Sequence, residues 1–190
     1  VLYRMEGIDI PNPNHYARFG TTGGPISMLN NNVLANSDFF TGAFPAEYGN
    51  ALAGVFDLKM RKGNNEKFEF MGQIGLNGLE GMAEGPISRK KRSSFLVNYR
   101  YSTLELAQAV GLDFGTAALP KYQDLSFKLN FPHKKGLTQF FGIGGLSKIA
   151  ILAADTKDAN DLWGFQGNDV YFSTNTGMMG VNHKQRINSN

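Results

Sequence analysis

The chain contains no cysteine, which removes disulfide frameworks and thiolate metal sites from consideration. No apolar run approaches the roughly 18 residues that a membrane-crossing helix needs, so any crossing has to be made by strands. Charged residues are only 18% of the sequence, and the net charge is +3. The positive charge sits in short clusters such as Arg89, Lys90, Lys91 and Arg92 and is not interleaved with aromatics, so a nucleic-acid surface is not expected. Histidine is scarce too: His15, His133 and His183 lie far apart without ligand spacing, and no metal site is expected. What is abundant is glycine (23) and phenylalanine (15), a balance that fits strands and tight turns better than helical bundles.

Lys121 to Phe131 alternates strictly. Leu125, Phe127, Leu129 and Phe131 fall on one face, and Asp124, Ser126, Lys128 and Asn130 on the other, a period of two that specifies a strand. One apolar and one polar face over about ten residues suit the wall of an outer-membrane β-barrel, with lipid outside and water inside. The pattern returns in Lys67 to Asn77, where Phe68, Phe70, Ile74 and Leu76 oppose Lys67, Glu69, Gln73 and Asn77. It returns again in Ser93 to Thr103, where Phe95, Val97, Tyr99 and Tyr101 oppose Ser94, Asn98, Arg100 and Ser102. Met71 and Leu96 are exceptions. Gly78 to Gly85, Leu137 to Ser147 and Val170 to Asn182 alternate more loosely, which makes six expected strands. Tyr99 and Tyr101 fit an aromatic girdle.

The links between these segments sort by length. They are short at Asn77, short and basic at Ser88 to Arg92, long at Leu104 to Pro120, short at Pro132 to Gly136 and long at Lys148 to Asp169. After the first hairpin, short and long alternate, as in a barrel whose short turns face the periplasm and whose long loops face outward. A soluble sandwich has no reason to sort its loops in this way. Strands starting at Lys67, Ser93 and Leu137 then run outward, and LELAQAVGL in the first long link reads as a short helical turn on the rim.

Residues 1–63 are organised differently. Glycine, proline and asparagine punctuate Gly7 to Asn32, with short strands expected within Ser27 to Phe40 and at Val55 to Met60. MEGIDIPNP at Met5 to Pro13 and TGAFPAEYGNALAGVFDLKMRKG at Thr41 to Gly63 resemble the C-terminal half of the plug of TonB-dependent outer-membrane receptors, in the form common among Bacteroidetes envelopes. The motif residues are Gly42, Phe44, Glu47, Tyr48, Gly49, Asn50 and Gly54, with Ala51, Ala53, Val55 and Lys59 among them. EGPI at Glu84 to Ile87 is similar to the end of the family's second wall strand.

The resemblance implies an all-β fold, mainly antiparallel transmembrane barrel strands with a small α+β plug portion. Residues 1–63 would be the C-terminal part of the plug and 64–190 the first six or so wall strands. Transporters of this type close with about 22 strands, so six leave the barrel unfinished. Val1 opens with neither a charged start nor an apolar signal core, and a portion of a longer chain is expected. The implied function is uptake of a scarce nutrient, an iron chelate, glycan or peptide, by energised displacement of the plug in the outer membrane of a Gram-negative bacterium. No enzymatic step, cofactor or metal is implied. The implied partners are a TonB-type energy-coupling protein acting on a segment ahead of Val1, the lipid bilayer, the nutrient, and a surface lipoprotein of the kind that covers glycan-importing relatives; nucleic acid is not among them. His15, Tyr16, Arg18 and Phe19 on the loop Asn12 to Gly24 are the expected substrate contacts. Glu47 is expected to pair with a wall arginine, and Gly42, Gly49 and Gly54 to supply sharp turns. Two other classes stay open: a non-transporting outer-membrane barrel, such as an adhesin or assembly component, and a soluble β-sandwich binding domain.

Three further features carry little. Asp155, Asp158 and Asp161 recur at every third position, unlike the alternate acidic spacing of a calcium loop, and a solvated loop is expected. GIGG at Gly142 to Gly145 lacks the helix and lysine of a phosphate cradle. Trp163 fits an interfacial aromatic or a loop anchor.

Overall fold

A computed structural model of the chain describes residues 1–17, 21, 23–75, 78–103, 120–151 and 169–187. Among them every regular element is a strand. Six are short: β1 (Leu2–Met5), β2 (Ile8–Ile10), β3 (Asn14–His15), β4 (Ile26–Ser27), β5 (Asp38–Phe40) and β6 (Val55–Leu58). Six are longer: β7 (Glu69–Gly75), β8 (Gly78–Ser88), β9 (Ser93–Tyr101), β10 (Lys121–His133), β11 (Gly136–Ile151) and β12 (Val170–Gln185). The short strands make a sheet in the order β2-β1-β6-β5 and a separate β3-β4 pair, and the longer ones make a six-stranded meander, β7 to β12. Every pairing is antiparallel except β1 with β6.

The α+β character expected of residues 1–63 is not found; the described part of this segment is all β. Local chemistry gives the reason. Pro11, Pro13, Pro25 and Pro45 lack the N–H that a helical ladder needs. Asn30 Oδ1 accepts from Asn32 N at 2.8 Å and Ser27 Oγ from Leu29 N at 3.1 Å, turn bonds that compete with helix formation.

The meander is open, with β7 and β12 as its edges, so these six strands do not close into a barrel. In its register Leu125 lies between Tyr99 and Gly144, Phe127 between Val97 and Gly142, and Leu129 between Phe95 and Phe140. Apolar residues thereby join into one continuous face across neighbouring strands. The expected rim helix, the aspartate triplet and Trp163 lie outside the described residues.

Burial in the meander is the reverse of that in a soluble sheet. On β10, Asp124, Ser126, Lys128 and Asn130 are buried, whereas Leu125 is 44% exposed; elsewhere on the same outer face Phe70 is 79% and Ile74 84% exposed. The small sheets lie against the polar face and share an apolar centre with it. Met5, Met28, Val33, Leu58 and Met60 meet Leu96, Phe141 and Ile143 there. Leu96, an exception to the alternation, points inward because this centre needs it.

The chain crosses from the small sheet to the meander through Gly63, which passes so close to β9 that an added Cβ would collide with the Phe95 carbonyl. Gly63→Ala is expected to lower stability by about 1–3 kcal/mol. Gly72→Ala, whose Cβ would enter open space, is the control; denaturant unfolding in detergent compares the two.

Candidate functional site

The interface between residues 1–63 and the meander is built from charged and amide side chains. In the β1–β2 hairpin, Glu6 and Gly7 both have positive φ, 53° and 86°, the pairing that two-residue type I′ turns require. That turn aims the Glu6 carboxylate at β10. Its Oε1 accepts from Lys128 Nζ at 2.6 Å and from Met60 N at 2.8 Å, and Lys128 Nζ donates in addition to Met60 O at 2.7 Å. Asn182 of β12 donates to the Glu6 carbonyl at 3.2 Å. Lys128 is 2% exposed, so its charge is held by two oxygens of residues 1–63, the Glu6 carboxylate and the Met60 carbonyl, rather than by water.

A second contact is a fork. Arg61 Nη1 and Nη2 donate to the two oxygens of Glu84 at 2.9 and 2.7 Å, and Arg61 Nε donates to Asn32 O at 2.5 Å. Bidentate geometry of this kind fixes orientation as well as distance. Asn64 N donates to the same carboxylate at 2.7 Å, which ties the crossing segment to β8. Nearby, Asn32 and Asn98 both donate to Glu80 Oε1 at 2.8 Å.

A third contact centres on Asp124. Its Oδ2 accepts from His15 Nε2 at 2.9 Å and from Arg100 Nε and Nη2 at 3.0 and 2.7 Å. Arg100 Nη2 also donates to Ser27 O at 2.5 Å. His15 is 1% exposed and packs on the Tyr122 ring at 4.8 Å between centroids. Gly145 leaves the room, since a Cβ there would strike His15 and Met28. Tyr16, at φ 58°, continues the contact by donating its hydroxyl to Lys121 O at 2.7 Å.

His15 and Tyr16, expected at a substrate-facing loop, are thus placed in the seam between the two parts. Arg18 and Phe19 lie outside the described residues. Burial pushes the Tyr16 phenol well above its ordinary value, with Tyr122 adding to the shift. Because the folded value is the raised one, this docking contribution is complete below the unperturbed tyrosine value of about 10 and is lost as pH rises beyond it. Tyr16→Phe is therefore expected to show a shallower loss of unfolding midpoint between about pH 9 and 11 than the native chain.

Among the described residues Glu47 pairs with no arginine of the meander. The arginine near it is Arg4 of β1, whose Nη1 lies 3.7 Å from Glu47 Oε2 and whose Nη2 donates to Glu47 O at 3.1 Å. The reason is position: residues 41–54 join β5 to β6 at the end of the small sheet opposite Glu6, since Leu2 pairs with Val55 and Met5 with Leu58. Tyr48 is buried there beneath the Arg4 guanidinium, 4.7 Å from its centroid, and donates to Asp57 Oδ2 at 3.2 Å. Phe44 is half-buried, while Gly42, Gly49 and Asn50 are exposed. None of the three motif glycines has positive φ; Ala43 takes that role at 51°. Gly54 instead permits close packing on the Phe40 carbonyl and the Phe39 ring.

The alternation in the sequence marks Asp124, Lys128 and Arg100 as inward-facing but carries no signal for their partners, which are 24 to 122 residues away. Sequence spacing also missed the meeting of His133 and His183, whose rings stack 5.4 Å apart. Among the described residues no group of three or more potential ligands gathers around a metal position. Comparison with protein-family models, with curated proteins and with solved structures finds no match to the chain.

Proposed function

We propose that this chain is the plug-to-wall portion of an outer-membrane TonB-dependent receptor, in which residues 64–190 form wall strands and residues 1–63 fill the lumen. The observation that carries the reading is the inverted sheet. A surface that buries Asp124 and Lys128 and exposes Leu125, Phe70 and Ile74 is matched to lipid outside and a polar filling inside. The soluble sandwich is less favoured because no described layer covers the apolar face.

In this reading the polar seam is the working part. Its groups regain water on separation, so the plug is held firmly by geometry yet is separable by a modest pull, unlike a plug seated on a wholly apolar surface. The fork from Arg61 to Glu84 and the Glu6–Lys128 pair are the restraints that an energised partner has to release. His15 and Tyr16 act in docking, and nutrient contact falls to Arg18 and Phe19 farther along the loop. The bilayer surrounds the wall, a TonB-type protein supplies the pull, and no catalytic step is involved.

Extraction of the native polypeptide from cell envelopes tests the proposal. Retention through alkaline and urea washes, with release by detergent only, supports it. Release into aqueous buffer at a mass near 20.9 kDa would overturn it.

A further inference from the structure

We propose that the short-turn end of the wall holds a binding pocket for a phosphate ester carrying more than one negative charge. A cavity of about 1090 Å³ opens where the chain crosses to the wall. Lys62 of the crossing segment, Lys90, Lys91 and Arg92 of the β8–β9 turn, and Lys134 of the β10–β11 turn converge on it, with His133 beside them. No carboxylate is among its lining residues, and none of these five cations makes an ion pair among the described residues. Glu66 borders Arg92 only in an adjoining hollow. Five positive charges brought together from three separate segments repel one another unless a counter-charge sits between them.

A second observation points the same way. Asn130 lines the pocket and is 2% exposed. Its Oδ1 accepts from Gln139 Nε2 at 2.8 Å, but its Nδ2 has no acceptor. Buried amide donors are rarely left unpaired, and an anion oxygen in the pocket supplies what this one lacks. Ser93 and Ser94 add hydroxyl donors to the lining. Lysine and arginine charges with neutral donors in the same lining suit a phosphate better than a cation or an apolar ligand. The volume exceeds that of a single phosphate and leaves room for a diphosphate or a larger diphosphorylated headgroup. Phe131 and Leu137 in the lining put the pocket next to the apolar face, within reach of a lipid headgroup if the wall lies in a bilayer.

The full chain in zwitterionic detergent micelles is titrated with inorganic pyrophosphate by calorimetry, and separately with cardiolipin, whose retention is read by native mass spectrometry. Saturable binding of either probe is expected, about tenfold weaker in Lys90→Gln/Lys91→Gln, which removes two charged contacts from an exposed turn. Asn130→Asp is expected to weaken it as well, by placing a like charge in the lining. Binding of pyrophosphate assigns the site to soluble phosphates, and binding of cardiolipin alone assigns it to headgroups. Absence of saturable binding for both probes, or equal affinity in native chain and double variant, overturns the proposal.

Discussion

Replacing Lys128 with alanine is expected to loosen the β1–β2 hairpin from the wall and to lower stability by about 3–5 kcal/mol. The loss arises less from the ion pair itself than from what stays behind. Among the described residues Glu6 has no other ion-pair partner, and its side chain, 9% exposed, stays beside Met60. The paired substitution Glu6→Gln with Lys128→Met removes both charges and is expected to recover most of the loss, since an apolar replacement of a buried pair is often neutral. Amide exchange at β1 and β2, taken with the unfolding midpoint in detergent, separates the outcomes. A single variant within about 0.5 kcal/mol of the native chain, the range of ordinary surface changes, would mean that this pair does not hold the hairpin.

Asp124→Ala is expected to be comparably severe, about 3–5 kcal/mol, because one carboxylate oxygen serves both Arg100 and His15. Removing it leaves the Arg100 guanidinium, among the described residues, with the Ser27 carbonyl and the Tyr122 ring as its remaining direct contacts. Asp124→Asn keeps the shape and an acceptor but not the charge, so an intermediate effect is expected. Protease cleavage within residues 14–27 reads the local consequence. That segment is expected to become susceptible in Asp124→Ala, while β8 and β9 keep their exchange protection. Equal protection of both segments in the alanine variant would contradict the docking role given to His15.

Which parts of this architecture the sequence made visible follows from physical pattern. β10 was legible because every outward position from Leu125 to Phe131 is apolar and every inward one polar. β12 was harder, since Ser173, Asn175 and Gly177 stand on its exposed positions and dilute the period of two. Glycines at 142 and 144 did the same on β11, where the Phe127 ring lies over Gly142. In residues 1–63 the turn chemistry was visible, but the resemblance carried a helical component that Pro11, Pro13 and the Asn30 turn do not support. The seam was half legible. Alternation put Lys128 and Asp124 inside, yet Glu6 reaches its place only through two consecutive positive φ values and His15 only because Gly145 leaves a socket. Nothing local in the sequence encodes either pairing. Glu47 stood out because of its motif, and the motif turned out to organise Arg4 and Tyr48 within the small sheet.

The central claim is that the apolar face of the meander meets lipid while residues 1–63 do not. Native protein extracted from envelopes and returned to bilayers of lipids brominated along their acyl chains tests it. Emission is taken as the difference from a Trp163→Phe parent, so that Phe127→Trp and Phe39→Trp each report one added fluorophore, on the outer face of β10 and on the exposed surface of β5. Strong quenching of Phe127→Trp with none of Phe39→Trp is the result this account predicts, and equal emission from Phe127→Trp with and without bromine would contradict it.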